Sequence, residues 1–210
     1  MKPHVSNAFT LVELMITISL VAVLVGLTVA GTGTLAARMR LSTCTNNLRQ
    51  LDLMFKAYAA ENNNRLPAGK NNEVNGSRVS WMIALQVYSG LSFPVVNQKN
   101  VFLCPSAMQT YAGHKARRTY AMNGAGTDGT VPALLVNYTQ PAGVGFLMDS
   151  VDNGANEGDG RSVFGQNDYE SAVDFRHDNC VNMLFLDGHV ETIPKSEAEL
   201  LRTSVLNFKR

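Results

Sequence analysis

Phe9 to Ala37 reads FTLVELMITISLVAVLVGLTVAGTGTLAA, with Glu13 as its only charge and no proline. At about 1.5 Å rise per residue, roughly twenty such residues span the ~30 Å hydrocarbon core of a bilayer. The run therefore predicts a transmembrane helix over 9–37. Glu13 lies near its start, and a carboxylate at that depth is costly unless it has a function or a partner.

Upstream, residues 1–8 (MKPHVSNA) form a short polar leader with Lys2 as its fixed side-chain charge. A secretory signal would place its apolar core before a small-residue cleavage site. Here the small residue, Ala8, precedes the apolar run, so a cut there would leave the membrane helix attached.

Downstream, the character changes at Arg38 and Arg40. Leu41, Cys44, Leu48, Leu51, Phe55 and Tyr58 recur at spacings of three and four, which is one apolar stripe on a helix. Arg49, Asp52, Lys56 and Glu61 fall off the stripe. Asn62-Asn63-Asn64, ahead of Pro67 and Gly69, supplies the stop. Residues 38–64 are thus expected to continue the membrane helix as an amphipathic half, giving one helix over about 10–62. Gly26, Gly31 and Gly33 each weaken it by about 1 kcal/mol relative to alanine, so any bend or melting of the rod is expected near Gly31–Gly33. The stripe covers too few heptads for a coiled coil and should pack on the chain's own sheet.

Residues 65–210 read as a loop-rich globular domain. Trp81–Tyr88 suits a short helix. Val101–Pro105, Thr119–Gly124 and Gly145–Asp149 read as short strands, the first closed by its proline. Val181–Leu186 and His189–Ile193 read as strands joined by a two-residue Asp187-Gly188 turn at positive φ. Val181, Met183 and Phe185 share one face and Leu184 and Leu186 the other, so this strand should be interior. The tail from Lys195 suits an amphipathic helix docked by Leu200, Leu201 and Val205, with Glu199 and Arg202 as an exposed pair. The fold class is α+β: a long N-terminal helix packed on an antiparallel sheet.

A formal net charge of +1 gives no reason to expect nucleic acid. No phosphate-binding loop and no nucleophile elbow is present. The three cysteines, Cys44, Cys104 and Cys180, lack C-x-x-C spacing, so no zinc motif is visible. Two readings of them stand: a Cys44–Cys104 disulfide in an oxidising compartment, or three buried free thiols.

Ala8-Phe9-Thr10-Leu11-Val12-Glu13 resembles the class III signal of type IV pilins and pseudopilins, small–Phe–Thr–Leu–x–Glu followed by an apolar run. The resemblance implies cleavage between Ala8 and Phe9 by a prepilin peptidase and methylation of the new Phe9 amine. It also implies that Glu13 faces the positive N-terminus of a neighbouring subunit, an attraction strengthened by low dielectric. The family's usual residue before the cut is glycine, where this chain has Ala8. Towards the other end, His177, nine residues, then Asp187-Gly188 resembles the His-x9-Asp-Gly signature of a prepilin-associated C-terminal domain. Cys44–Leu51, Phe102–Ser106, Tyr120–Asn123 and Asp149 fit the same pattern. The family usually shows Arg-His-Gly-Gly where this chain has Arg176-His177-Asp178-Asn179.

Two further groups were weighed. Asp149–Gly160 (DSVDNGANEGDG) is acidic and glycine-rich, with Asp149, Asp152, Glu157 and Asp159 as candidate calcium ligands. Its spacing is not that of an EF-hand, and a solvated loop is the preferred reading, although major pseudopilins carry calcium in a C-terminal loop. His177, Asp187 and His189 could hold a transition metal or move protons. The preferred reading is structural, with Asp187 making the turn and His177 bonding a nearby backbone group.

The expected function is a non-enzymatic, pseudopilin-like subunit with no obligatory cofactor. It would sit in the inner membrane by a single pass, with residues 65–210 periplasmic, and assemble through its N-terminal helix into a fibre of a type II secretion or type IV pilus-like system. Its partners would be like or unlike pilin subunits, the prepilin peptidase, and by resemblance a platform protein and an ATPase. The rival is a membrane-anchored periplasmic enzyme or carbohydrate-binding domain that uses the helix only as an anchor.

Overall fold

The computed structural model describes residues 9–92, 98–113, 116–124, 129–151, 163–165 and 168–206, with the side chains of 27–32, 198 and 206 set aside. The chain divides into two compact units, Met1–Met39 and Arg40–Arg210. Helix α1 (Leu11–Glu61) contributes residues to both.

In the first unit, every described side chain from Phe9 to Gly26 is exposed, among them Leu11, Ile16, Leu20 and Leu24. Among the described residues no helix is long and apolar enough to cross a membrane. The described side chains of the 9–37 run fall into two pieces, ending at Gly26 and resuming at Gly33.

In the second unit, α1 ends where the asparagines are. Asn63 and Asn64 take left-handed φ of 55° and 57°, and the Asn64 N–H returns to the Ala59 carbonyl at 2.9 Å. That six-to-one bond satisfies an orphan carbonyl of the last turn, and asparagine tolerates the left-handed geometry. A short hairpin follows, β1 (Asn72–Val74) and β2 (Ser77–Val79), turned by Asn75-Gly76 with both φ positive. Next come α2 (Trp81–Tyr88) and α3 (Pro105–Thr110).

The main sheet has five strands in the order β5-β3-β4-β6-β7. They are β3 (Tyr120–Asn123), β4 (Gly145–Asp149), β5 (Val163–Phe164), β6 (Cys180–Phe185) and β7 (Val190–Pro194). The β3–β4, β4–β6 and β6–β7 pairs are antiparallel, whereas β3 pairs β5 in parallel, so the sheet is mixed rather than purely antiparallel. β6 is interior, as its two apolar faces require. Short helix α4 (Tyr169–Ala172) precedes it, and α5 (Ala198–Leu206) closes the fold.

The core has two layers. On one face of the sheet, Cys44, Leu48, Leu51 and Phe55 of α1 pack with Trp81, Phe102, Tyr120, Leu147 and Leu184. Phe55 anchors an aromatic cluster, edge-on to Phe146 at 4.6 Å and tilted to Trp81 at 5.5 Å. Such pairs contribute about 0.5–1.5 kcal/mol beyond area burial. The other face carries Ala121, Met148, Val181, Met183, Phe185 and Ile193, covered by Leu201 and Val205 of α5. The period-2 split of β6 is therefore realised, and the α1 stripe packs on the chain's own sheet.

Three local expectations are corrected. Val101–Pro105 is not a strand. The Asn100 side chain accepts the Phe102 N–H at 2.8 Å, making an Asx-type turn, and Pro105 then serves as the first residue of α3. Leu200 does not dock the tail helix and is 39 % exposed, since Leu201 and Val205 occupy the buried side. Asp52 is buried, not on the wet face, for a reason given below.

Candidate functional site

The first candidate is the start of α1. Thr10 is its N-cap and Glu13 the third helical residue. The Glu13 N–H donates to Thr10 Oγ1 at 3.3 Å, while Glu13 Oε2 accepts the Thr10 N–H at 2.9 Å and the Thr10 hydroxyl at 2.8 Å. This is a reciprocal capping box, which satisfies orphan donors at both positions. The Thr-x-x-Glu spacing of Thr10 and Glu13 is the sequence signal for it. Glu13 thus has a local structural role whatever else it contacts. Ala8 lies outside the described residues, and Phe9 is 77 % exposed.

Residues 4–29 match the prokaryotic N-terminal methylation motif. The N-terminal segment is therefore similar to the processed and methylated start of type IV pilin-like proteins. No curated protein and no solved structure matches the chain.

The second candidate is the His-x9-Asp-Gly segment, whose ends have separate tasks. At its first end, His177 and Cys180 exchange backbone hydrogen bonds at 3.2 and 3.0 Å. Asp178 and Asn179 between them both have positive φ, 54° and 58°. This is a two-residue hairpin turn of the type that wants glycine, asparagine or aspartate. It accounts for the departure from Arg-His-Gly-Gly: the replacements are the non-glycine residues that best tolerate the left-handed region.

The His177 side chain is buried and bonds side chains, not the backbone group expected from sequence. Its Nε2 lies 3.2 Å from Asp149 Oδ2 and 3.4 Å from Cys104 Sγ, and its Nδ1 lies 3.3 Å from Ser106 Oγ. Cys104 is joined to Cys44 of α1 by a disulfide with Cα atoms 5.0 Å apart. Asp149 is fully buried at the end of β4, and its Oδ2 also accepts the Asn182 N–H at 2.9 Å. Arg176 is buried beside it. Its guanidinium donates to the carbonyls of Thr119 and Ser150 at 3.1 and 2.6 Å. Its Nε is 3.2 Å from Asp174 Oδ2 and 3.7 Å from Asp149 Oδ1, ionic contacts without hydrogen-bond alignment. Asp174 Oδ2 accepts the Tyr111 hydroxyl at 2.7 Å. Nearby Tyr120 is pushed well above its ordinary pKa by burial, with the Asp149 charge adding to the effect.

At the second end, the turn differs from the expected one. Gly188 N–H closes a turn on the Phe185 carbonyl at 2.9 Å, and the Phe185 N–H bonds the His189 carbonyl. Only Gly188 has positive φ, 100°. This is a three-residue loop with glycine in the bulge position, not a two-residue turn. Asp187 stays out of the left-handed region, and its Oδ1 accepts the His189 N–H at 3.0 Å and faces Nδ1 at 2.6 Å. Burial opposes ionisation of Asp187, but the His189 hydrogen bonds and the charges of His189 and Lys56 together hold its pKa below the ordinary value.

Here Asp52 finds its reason. Lys56 of α1 donates to Asp52 Oδ2 at 2.7 Å and to the Asp187 carbonyl at 2.9 Å. A Cβ on Gly188 would sit 2.5 Å from both Asp52 Oδ2 and Lys56 Nζ. Burial raises the Asp52 pKa, against the opposing pull of Lys56. The glycine is thus required for φ and for the approach of α1.

The two ends of the motif therefore hold α1 at two levels. His177 reaches Cys104, which is bonded to Cys44, and the Asp187-Gly188 turn receives Asp52 and Lys56. From Cys44 to Lys56 the helix rises about 18 Å. The six residues of β6 extend about 20 Å. The nine-residue spacing is the length of one tight turn plus one strand that matches this stretch of helix.

Among the described residues, the atoms that could share a metal are those of Cys44, Cys104 and His177, all within 4.8 Å of one another, and not His177, Asp187 and His189. His189 instead stacks on Phe185 at 4.2 Å. Of the acidic-loop candidates, Asp149 is committed to the buried cluster, and Asp152, Glu157 and Asp159 lie outside the described residues.

Proposed function

We propose that the chain is a structural, pseudopilin-like subunit. Prepilin peptidase cuts between Ala8 and Phe9, the Phe9 amine is methylated, and the apolar run of 9–37 holds the protein in the inner membrane until it packs against other subunits in a fibre. The observation that carries this reading is the methylation motif over residues 4–29, set at the start of a helix whose apolar side chains are exposed as far as Gly26. Unburied apolar surface on this scale is otherwise a liability and marks an interaction site. The globular domain would be periplasmic, which suits a disulfide. The ties from Cys44 and Lys56 into the sheet hold residues 44–56 of α1 to that domain. The buried His177 cluster is closed to solvent and supports a structural role over a catalytic one. Calcium at the acidic loop and the choice between a secretion pseudopilus and a pilus are carried by resemblance alone.

The capping box sharpens the test of Glu13. Glutamine can complete a capping box but carries no charge. Glu13→Gln keeps the helix start and removes the partner of the neighbour's amine. Both Glu13→Gln and Glu13→Ala are expected to be membrane-anchored and absent from sheared fibres. Normal incorporation of Glu13→Gln would assign Glu13 to capping alone and remove the charge-pairing role.

A further inference from the structure

We propose that Cys44, Cys104 and His177 form a zinc-type metal site when the two cysteines are reduced, so that the disulfide and a divalent ion are alternative occupants of one position. The sequence hides this site, because its ligands come from α1, the residue before α3 and the turn before β6, with no C-x-x-C spacing.

The distances suit a shared ion. In a tetrahedral zinc site with Zn–S of about 2.3 Å and Zn–N of about 2.0–2.1 Å, a sulfur and a nitrogen ligand lie about 3.5 Å apart. Cys104 Sγ and His177 Nε2 are 3.4 Å apart, and Cys44 Sγ completes a set of three ligand atoms within 4.8 Å of one another. Asp149 Oδ2 lies beside the same ring nitrogen at 3.2 Å but outside that set.

The surroundings resemble those of a metal ligand set. Ser106 Oγ faces the other ring nitrogen of His177, and the Asn182 N–H fixes Asp149 Oδ2. Such outer contacts set tautomer and orientation. Two thiolates and a neutral imidazole around a divalent ion leave no net charge, and the nearby Asp149 carboxylate has the Arg176 guanidinium beside it. The chemistry balances: a small-molecule dithiol takes up the disulfide by exchange and is oxidised, and the two thiols release two protons as the ion binds. Because Cys44, Cys104 and Asp149 are fully buried, the ion would enter during folding.

The test uses the full chain in detergent with Cys180→Ser, to remove the free thiol. The protein is unfolded, reduced with a phosphine, which ends as its oxide, and refolded with or without cadmium or zinc. The expected result is one cadmium per chain with a thiolate-to-metal charge-transfer band, and a zinc-dependent rise in melting temperature for the reduced chain only. His177→Gln should weaken cadmium binding at least tenfold, while the oxidised chain refolds without metal. The proposal is overturned if the reduced chain binds no stoichiometric cadmium, if His177→Gln binds as tightly as the parent, or if metal fails to restore near-ultraviolet dichroism to a reduced chain that does not refold alone.

Discussion

Arg176→Met is expected to destabilise the globular unit by about 3–5 kcal/mol, the cost of stranding buried carboxylates when one partner of an ion pair is removed. Arg176 and Asp149 have no side-chain exposure, and Asp174 has little. Methionine fills much of the volume, so the loss is electrostatic and hydrogen-bonding rather than a cavity. Two carbonyls, of Thr119 and Ser150, lose their donor as well. Against a total stability of about 5–15 kcal/mol, this is a large fraction. For a unit of this size it corresponds to a fall in melting temperature on the order of 10 °C. Thermal denaturation checks it, with Arg202→Met as comparison. The Arg202–Glu199 pair is exposed on both sides and should change stability by well under 1 kcal/mol. Equal effects of the two substitutions would mean that the buried cluster does not hold the fold.

The second large effect comes from the disulfide. Cys44 and Cys104 are 60 residues apart, so the bond removes a long loop from the unfolded ensemble. The chain-entropy relation gives about 4 kcal/mol for a loop of that length. A Cys44→Ala, Cys104→Ala double variant should therefore melt far below the parent, on the order of 10 °C lower. Cys180→Ser should melt with the parent. The joint also fixes α1 to the start of α3, where the buried Asn47 side chain donates to the Leu103 carbonyl at 2.9 Å. Loss of the bond should loosen this contact first, and hydrogen exchange should accelerate at Leu48 and Leu51 before it does in β4 or β6. Uniform acceleration across the sheet would contradict that order.

The long helix and most strands were legible because their signals are local. The stripe from Cys44 to Phe55, the asparagine stop and the period-2 pattern of β6 each belong to one element. The misread pieces are those in which a side chain competes with the backbone or a distant element sets the environment. Asn100 converts an apolar stretch with strand composition into a turn. Asp52 looks like a wet-face acid until Lys56 and the Gly188 turn close over it. Two turn signals flank β6, and Asp187-Gly188 drew the two-residue assignment that belongs to Asp178-Asn179. The His177 cluster was out of reach, since its members converge only once α1, α3, β4 and β6 are in place. The His-x9-Asp-Gly resemblance located the segment but not its work, which is to tie one strand to one helix at both ends.

The proposed role of 9–37 as signal, anchor and polymerisation surface rests on what happens to the bond between Ala8 and Phe9. Intact-mass and fragment spectrometry of the native protein, purified from membranes, reads this directly. The expected N-terminus is Phe9 carrying a methyl group on its amine, with residues 1–8 absent. A chain that retains Met1, or one cut beyond the apolar run, would contradict it.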